Sequence, residues 1–506
     1  MALLPAAVFG CLVCVLVAVL MHYVRDYLKF RRMELALPGP PSFPIVGSAL
    51  NFLGVTEHDM FERFLTMWDH RKGLMRFSLL NKLLVVVSDP DDLEKVTRRK
   101  DFLDKSKLFY EQFHIISKNG LTLLNGPEWK VHRRALQPGL HRDLLNRFVK
   151  YFHEETTAFV NRIEPYQVVD PTDNLYRNGA TAFLRTMLSD EVTPEMEDMA
   201  VMVISFSKHI LNCLWARVMN PLFWIDFVWN STERGKTLME MKKTIDMATH
   251  HFIDKRRATL EKEKAENDNV YLSDRKTIVD ILLTSDDSQG QYKMSDNDIC
   301  DEVKLFFGAA VETTVSTMCI VLKVLSLLPE HQDKIIAEVD EVLGKTGRDV
   351  TPEDLPKLVH LECFMKECMR MYPAIPMTAR QVYEDTEFAG YKLPAGTTLV
   401  LNLYGAHRDP DHWENPDKFN PDRFLPENSE GRHPCAFMPF SAGPRNCIGH
   451  VYAMMSMKTL LANIMRAYRL EPAADGITDV ENIPLSMDIA LRVLGGSKVK
   501  FVPRAK

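Results

Sequence analysis

One cysteine near the carboxyl end lies among residue types that suit metal chemistry. Cys447 stands in the run Phe440-Ser-Ala-Gly-Pro-Arg445-Asn-Cys447-Ile-Gly449. Glycine permits tight backbone beside a bulky planar ligand, and an arginine can bind a carboxylate through two parallel hydrogen bonds. The apolar run after Cys447 predicts a helix, whose N-terminal amides would face the sulfur and favour its thiolate. That thiolate would suit a soft or borderline metal such as iron, whereas a buried structural cysteine is the alternative.

A carboxylate and a hydroxyl lie side by side within a long apolar segment. Ser295 is a suitable N-cap, and the periodicity predicts a helix from there to about Leu328, just before Pro329. Glu312 and Thr313 fall inside it. A threonine in mid-helix tends to bond back to a preceding carbonyl and to bend the axis. For an isolated Glu-Thr-Thr, an ordinary helix with satisfied hydroxyls is the simpler interpretation.

Two pairs at helical spacing complete the candidate residues. Glu367 and Arg370 are an acid and a base three residues apart, which places them on one helix face. Trp129 and Arg133 lie four apart, which also places an indole and a guanidinium on one side of a helix. Either spacing by itself is common in surface helices.

Together these motifs resemble those of the cytochromes P-450. The haem-binding loop of that family reads Phe-x-x-Gly-x-Arg-x-Cys-x-Gly. Its fixed positions are filled here by Phe440, Gly443, Arg445, Cys447 and Gly449. The resemblance covers nearly all of residues 38–506 and implies the cytochrome P-450 fold, which is mainly α with small β-sheets (α+β). It also implies that Cys447 is the axial iron ligand.

The same resemblance implies roles for the residues of the long helix. Thr313 would orient a proton relay toward dioxygen, and Glu312 would supply protons from the solvent side. Ala310 stands where the family's usual glycine lies. The groove that receives dioxygen would therefore be shaped by Gly308 instead, or would be slightly narrower. Ala309 stands where many family-4 members carry a glutamate that esterifies the haem. We therefore predict haem b held without a covalent bond.

The remaining site residues are assigned by resemblance alone. Glu367, Arg370 and Arg423 would form a buried charge network that braces the cysteine loop without taking part in catalysis. Contacts to the haem propionates would come from Trp129, Arg133, Arg380 and Arg445.

The chain begins with a candidate membrane anchor. Residues 3–24 are apolar and would span about 33 Å as a helix at ~1.5 Å per residue, enough for a bilayer core. Basic residues follow from Arg25, which favours a cytoplasmic carboxyl side. A cleaved signal peptide would need positive charge before a shorter apolar run, and neither is present. The predicted organisation is an anchor at 1–24, a basic, proline-rich hinge at 25–47 and a catalytic domain at 48–506.

Bulk properties exclude some classes of protein. A formal net charge of −6 argues against a nucleic-acid partner. Nine cysteines scattered over 506 residues make no disulfide framework, as in a reduced, cytosol-facing protein.

Local patterns predict several elements outside the motifs. Lys82–Val87 is predicted to be a short buried strand, and short strands joined by turns are predicted between Arg380 and Leu401. The charged stretch Glu261–Arg275 is predicted to be a solvated surface loop.

The resemblance implies an animal microsomal monooxygenase, closest to family 4 and of arthropod type. Anchored in the endoplasmic reticulum membrane, it would act on a small lipophilic substrate of fatty-acid, terpenoid-hormone or xenobiotic type. NADPH would donate electrons through cytochrome P-450 reductase, with cytochrome b5 as a second partner, since the chain has no Gly-rich nucleotide fingerprint. A haem-thiolate isomerase or dehydratase, and a haem carrier or sensor without turnover, are the alternatives.

Two groups of residues bear on these partners. A basic cluster suited to docking an acidic reductase comprises Lys130, Arg133, Arg134, Arg142, Arg147 and Lys150. Apolar positions that could line a substrate path, or equally belong to the core, are Ile204, Phe206, Leu211, Leu214, Trp215, Phe223 and Trp224.

Overall fold

The structure is a computed structural model of the 506-residue chain. It describes residues 3–52, 55, 59–67, 73–188, 192–266, 277–284, 294–344 and 347–504.

Helices make up most of the described chain. The α-helices are α1 (Leu3–Ala36), α2 (Met60–Met67), α3 (Pro90–Arg98), α4 (Lys107–Tyr110), α5 (Gly126–Leu136), α6 (Arg142–Arg162), α7 (Thr172–Phe183), α8 (Pro194–Ser205), α9 (Ser207–Met219), α10 (Asp226–Ser231), α11 (Glu233–Glu266), α12 (Ile278–Thr284), α13 (Asp296–Leu327), α14 (Pro329–Leu343), α15 (Val359–Met371), α16 (Leu403–Ala406), α17 (Pro426–Ser429) and α18 (His450–Ala467). A π-helix at Leu184–Leu188 extends α7. Short 3₁₀ segments are Ala49–Phe52, Lys100–Phe102, Glu111–Ile115, Gln137–Leu140, Pro221–Trp224, Leu355–Lys357, Pro421–Phe424 and Pro434–Ala436.

The strands form small sheets beside this helical body. They are β1 (Leu74–Leu79), β2 (Lys82–Val87), β3 (Val168–Val169), β4 (Met377–Gln381), β5 (Thr386–Phe388), β6 (Tyr391–Leu393), β7 (Thr398–Asn402), β8 (Tyr468–Pro472), β9 (Leu485–Met487), β10 (Leu491–Val493) and β11 (Val499–Pro503). One sheet has the order β1-β2-β7-β4, in which only the β2–β7 pair is parallel. Antiparallel groups β3-β11-β8, β9-β10 and β5-β6 complete the set. The expectation of a mainly α protein with small β-sheets is confirmed.

Several local predictions hold at the level of single elements. The strand predicted over residues 82–87 is β2, and the strands expected between Arg380 and Leu401 are β4 to β7. Helix α13 begins after Ser295, whose side chain forms a capping box with Asp298. The loop prediction for residues 261–275 is wrong at its start, because α11 continues to Glu266. Residues 267–275 lie outside the described residues.

Helix α13 is the central element of the protein. It packs against the helices α7, α11, α15 and α18. Most of its side chains beyond Val315 are buried. Residues placed near its middle are therefore fixed from several directions, which is what a catalytic group on this helix would require.

Two described stretches are apolar and long enough to cross a membrane by length and composition, Pro194–Met219 and Asp296–Leu327. Within the apolar 18-residue window of each stretch, 44% and 61% is buried inside the protein. The second is the core helix α13, so its apolar character is explained by packing within the body.

The amino-terminal helix continues past the predicted anchor. Helix α1 runs without a break to Ala36, so the basic residues after Arg25 extend the apolar segment as helix. Within the predicted hinge at 25–47, helical structure ends at Ala36, and the proline-rich residues 37–47 are not helical. The apolar side chains described between Phe9 and Val24 are exposed, as a bilayer-facing helix requires. The three predicted segment boundaries stay a prediction.

A buried carboxylate holds the end of α1 against the body. Glu34 is fully buried and forms an ion pair with Arg31 at 2.5 Å. Its Oε1 atom accepts hydrogen bonds from the hydroxyls of Ser42 and Ser78 at 2.5 and 2.6 Å. Arg76 on β1 lies 3.8 Å from the same oxygen. One side chain thus joins α1, the proline-rich segment and the edge of the four-stranded sheet.

We predict that Glu34→Ala destabilises the protein by about 3–5 kcal/mol, because it leaves the buried Arg76 guanidinium and the partly buried Arg31 guanidinium without their carboxylate. Denaturant unfolding of the purified protein measures this loss. Glu233→Ala is the matched control, since Glu233 is 88% exposed in its ion pair with Lys236. Equal unfolding free energies for the two variants would contradict the role given to Glu34.

Candidate active site

The cysteine loop has a backbone that only glycine permits at one position. Gly443 has φ +71°, and a Cβ atom there would lie 2.4 Å from the carbonyl oxygen of Thr97. The loop closes where the Cys447 amide donates to the Phe440 carbonyl at 2.8 Å. Gly449 is the N-cap of α18, so Cys447 lies just before the helix, as predicted.

The thiol of Cys447 opens into an interior cavity of about 530 Å³. Its side chain is exposed to this space, although protein encloses the cavity around it. Burial raises the pKa of Cys447 and outweighs the Gly449 amide and the nearby cations of Arg133 and Lys105, which lower it. The Gly449 amide lowers this pKa, as expected of a helix N-terminus, but burial has the larger effect. A metal bound at the sulfur would lower this pKa.

Three cations lie beside the cavity without a carboxylate partner. Arg380 and Arg445 are 1% and 7% exposed, and each has a buried Nη2 atom without a hydrogen-bond partner. Lys105 is 8% exposed, and its Nζ donates to the hydroxyls of Tyr110 and Thr378. Within the described residues, no ion pair involves any of the three. Burial and mutual repulsion lower the pKa of Arg445 to about 9 and that of Lys105 well below its usual value.

Lys105 was not predicted from the sequence. It precedes α4 by two residues and meets Arg380 through an isolated backbone bridge. A single lysine in a polar stretch carries no local signal of burial. Only the pairing of two segments 275 positions apart brings it to this cluster.

Trp129 and Arg133 on α5 lie at the same end of the cavity. The Arg445 guanidinium lies 4.6 Å over the Trp129 ring. Arg133 donates from its two terminal nitrogens to the backbone and side-chain oxygens of Asn446, at 2.9 and 2.8 Å. In this geometry Arg133 holds the residue before Cys447, and its predicted contact to a propionate stays a prediction.

The polar pair of α13 also lines the cavity, but its acid is not on a solvent side. Thr313 donates to the carbonyl of Ala309 at 2.8 Å, the back-bond expected of a helical threonine. Glu312 is 5% exposed and accepts hydrogen bonds from Tyr176 at 2.8 Å and from Ser207 at 2.6 Å. Arg492 forms an ion pair with its other oxygen. Burial among these partners replaces the expected contact with solvent.

The departures at residues 308–310 leave space in the cavity. A Cβ atom at Gly308 would meet no atom within 4 Å. Ala309 is exposed to the cavity and carries no carboxylate. Space that a larger side chain would fill is therefore open beside Thr313.

The predicted charge network is present as a buried cluster. Arg370 and Glu367 are both fully buried and form two parallel hydrogen bonds at 2.7 and 2.8 Å. Arg370 also donates to the carbonyls of His407 and Pro416, at 2.8 and 2.7 Å. The Nε atom of Arg423 lies 3.6 Å from the Glu367 carboxylate. This arrangement pairs the charges of Glu367 and Arg370 and joins α15 to the segment that precedes the cysteine loop.

His407 extends this cluster to the loop and was not predicted. Its Nε2 accepts from the Met438 amide at 3.0 Å, and its Nδ1 lies 3.2 Å from the Arg370 carbonyl. Burial, followed by repulsion from Arg370, lowers the pKa of His407 to about 3. The neutral ring can therefore donate at one nitrogen and accept at the other, which links Arg370 to the residues just before Phe440.

Comparison with known proteins agrees with this geometry. The family model described as Cytochrome P450 matches residues 37–493. Probable cytochrome P-450 4aa1 of Drosophila melanogaster is 30% identical over 95% of this chain and 92% of its own length. Human cytochrome P-450 4V2 is 30% identical over 97% of this chain and 94% of its own. Among solved structures, the cytochrome P-450DA heme domain has a TM-score of 0.75 at 20% identity, covering 93% of this chain and 98% of that one.

The chain belongs to the cytochrome P-450 family. Its relatives are of the family-4 type, from insects and mammals. The chain therefore shares the P-450 fold, the haem-thiolate cofactor and the monooxygenase class.

The residues at the cavity fit the haem of a cytochrome P-450. A soft sulfur donor opens into the cavity, which suits iron. At the edge, two orphaned guanidinium nitrogens and the Lys105 ammonium require anions, and a haem carries two propionates. Cys447 would hold the iron, while Arg380, Arg445 and Lys105 would hold the carboxylates.

We predict that Arg370→Ala yields protein that does not retain haem. Removing one partner of a buried pair costs about 3–5 kcal/mol, and here it also removes the carbonyl contacts that shape the cysteine loop. Haem content per polypeptide after purification measures the effect. Arg469→Ala, at a side chain 47% exposed, is the matched control. A haem-loaded Arg370→Ala protein with normal absorption would contradict the bracing role.

Proposed function

We propose that the protein is a haem-thiolate monooxygenase that inserts one oxygen atom of dioxygen into a lipophilic substrate, with electrons from NADPH through a flavoprotein reductase. The observation that carries this proposal is one cavity lined by both Cys447 and Thr313. Lys105 and Arg445 also line it, Arg380 lies beside them, and none of these three cations forms an ion pair within the described residues. Haem bound there would supply the activation of dioxygen. The chain's own residues would bind, orient and protonate.

Each group of residues has a distinct task in this proposal. The cations beside Trp129 hold the anionic edge of the cofactor and so fix its plane. Open space beside Gly308 receives dioxygen, and the Thr313 hydroxyl lies next to it. Glu312 exchanges protons with its hydroxyl partners. Because Ala309 has no carboxylate to esterify the haem, the cofactor is held without a covalent bond.

The electron donor is proposed to dock on a basic surface formed by α5 and α6. Lys130, Arg134, Arg142, Arg147 and Lys150 are exposed there, whereas Arg133 turns inward to Asn446. The inward arginine leads directly to the residue before Cys447, so the surface and the proposed ligand are close. Such a surface favours an acidic partner, as expected of cytochrome P-450 reductase and of cytochrome b5.

The membrane placement rests on α1 and on a second apolar patch. The exposed apolar side chains of α1, followed by basic residues, suit one span of the endoplasmic reticulum membrane with a cytoplasmic body. Leu222, Ile225 and Phe227 are 64%, 55% and 84% exposed after α9. Ile204, Leu211, Leu214 and Trp215 from the predicted substrate path line the cavity. Phe206, Phe223 and Trp224 are not among its lining residues, which suits a role in packing or membrane contact.

The charges of the cavity favour an uncharged substrate. Among described residues, the charged lining side chains other than the haem-binding cations are Lys304, Glu312 and Arg133, of which Arg133 bonds to Asn446. Lys304 is paired with Asp246 at 2.9 Å and with Asp301 at 2.7 Å, and Glu312 is paired with Arg492. A substrate carboxylate drawn into this space would find no free cation, and burying an unpaired ion costs several kcal/mol. We therefore propose neutral lipophiles, such as esters, hydrocarbons and terpenoids, over free fatty acids.

The function is tested by supplying purified protein with reductase, NADPH, isotopically labelled dioxygen and a library of lipophiles. Labelled oxygen in a product, dependent on NADPH and reductase, is the expected result. Product formed without NADPH would identify an isomerase or dehydratase. Haem binding with no product from any member would support a carrier or sensor.

We predict that dodecanoic acid binds at least roughly tenfold more weakly than its methyl ester. Burying an unpaired carboxylate costs several kcal/mol, and a tenfold difference in affinity needs only ~1.4 kcal/mol of that cost. The change in haem absorption on substrate binding measures both affinities. Leu211→Lys should narrow the difference, because Leu211 lines the cavity and a lysine would offer the missing cation. Equal affinities for acid and ester in the unaltered protein would contradict a neutral-substrate site.

A further inference from the structure

The carboxylate of Glu312 is held by three elements that are distant in sequence. Tyr176 on α7 and Ser207 at the start of α9 donate to one oxygen, at 2.8 and 2.6 Å. Arg492 on β10 donates to the other oxygen. These three contacts fix the position of an acid that is expected to move protons.

We propose that Arg492 is the positioning residue for proton delivery: its guanidinium holds the Glu312 carboxylate in one orientation, directed at the cavity, so that protons pass through Ser207 and Glu312 toward Thr313. This inference rests on the proposed monooxygenase function. It assigns a task to the carboxyl-terminal hairpin, which none of the sequence motifs includes.

The hairpin that carries Arg492 is fixed to the same helix as the acid. The Ser316 hydroxyl on α13, four residues beyond Glu312, donates to the Leu491 carbonyl at 2.5 Å. The Leu491 amide in turn donates to Ala374 at 2.8 Å. The residue directly before Arg492 is therefore bonded to α13, so the backbone from which Arg492 reaches Glu312 is fixed relative to that helix. A guanidinium on a fixed backbone can hold a carboxylate in one rotamer.

The guanidinium also orders the hydroxyl beside it. Arg492 donates to the Tyr176 hydroxyl oxygen at 3.1 Å, and that hydroxyl donates to Glu312. Burial lowers the pKa of Arg492, but Glu312 and Tyr176 outweigh it, and the pKa is raised overall. For Tyr176, in contrast, burial is the main reason that the pKa is raised, to about 12. The tyrosine therefore remains a donor to the carboxylate, and Arg492 remains charged.

The route toward the reacting centre passes through groups that line the cavity. Ser207, Glu312 and Thr313 all line it, whereas Arg492 lies behind the carboxylate. The Ser207 hydroxyl donates to Glu312 and keeps its oxygen available to accept a proton from water in the cavity. A proton taken up there can replace the one passed to the carboxylate, and the carboxylate can release its proton toward Thr313. Each transfer moves one proton and leaves every group as it began.

The experiment separates positioning from bracing by changing the oxidant. Hydrogen peroxide equals dioxygen plus two electrons and two protons, so it already contains the protons that this route delivers. A defect in positioning lowers the product obtained with NADPH and dioxygen but not the product obtained with peroxide. A defect in bracing α13 lowers both, and it also lowers substrate affinity and thermal stability.

For Arg492→Met we expect product per NADPH consumed to fall by roughly tenfold or more, the scale of positioned proton transfer. Peroxide-driven product and the substrate affinity measured from haem absorption should stay within about twofold of the unaltered protein. The unfolding temperature should stay within roughly a few degrees. Arg492→Lys should recover most of the loss, because an ammonium can still pair with Glu312. Arg469→Met is the matched control at an exposed arginine. A crystal structure of Arg492→Met should show the carboxylate turned from its three contacts.

A second variant keeps the inference testable if Arg492→Met does not fold. Ser207→Ala removes one hydroxyl and leaves the ion pair, so it should lower NADPH-driven product by a smaller factor, again without loss of the peroxide reaction. Unaltered product per NADPH in Arg492→Met, or equal loss of both reactions in each variant, would overturn the inference. If the unaltered protein forms no product by either route, the proposed function itself fails.

Discussion

Buried positive charge without a protein counter-ion is the constraint on which the rest of the structure depends. Arg380 and Arg445 each have a buried guanidinium nitrogen that finds no hydrogen-bond acceptor among the described residues, and the Lys105 ammonium beside them contacts two hydroxyls. Three cations so close together repel one another and oppose folding unless an anion joins them. The haem-thiolate cofactor of the family brings two carboxylates to such a place. The cofactor is therefore part of the protein's electrostatic balance as well as of its chemistry.

The protein around this cluster is built to keep backbone segments in register. Glu367 and Arg370 satisfy each other and hold three carbonyls, and neutral His407 carries that order to the cysteine loop. On the other side of the cavity, α13 carries Thr313 and Glu312, with the carboxylate fixed from α7, α9 and β10. Buried ion pairs add little net stability on their own. Their value here is to define positions of groups that must meet across one cavity.

The elements and motifs with local signals could be predicted from the sequence. β2 has a continuous apolar run, and α13 has both a capping serine and a proline stop, so their bounds were predicted closely. The cysteine loop has a fixed pattern of glycines that only one backbone satisfies. Family resemblance then supplied the partners that spacing alone leaves ambiguous, such as Arg423.

Residues whose role depends on distant segments could not be predicted. Lys105, His407 and Glu34 look like ordinary polar residues in the chain, and they are buried only because strands and loops far apart in sequence enclose them. The family resemblance placed Glu312 on a solvent side. Arg492, 180 residues away, gives it a buried position instead. The local sequence pattern indicates which side chains carry chemistry. Tertiary contacts decide whether these side chains are buried and which groups they contact.

The most direct test of the account is the absorption spectrum of the reduced, carbon-monoxide-treated protein. If the Cys447 sulfur is bonded to iron, the main haem band will shift strongly to the red, and Cys447→Ser will lose that shift while the cations of the cavity still retain haem. An unaltered protein without the shift, or a Cys447→Ser protein that keeps it, would contradict the assignment of this cysteine as the iron ligand.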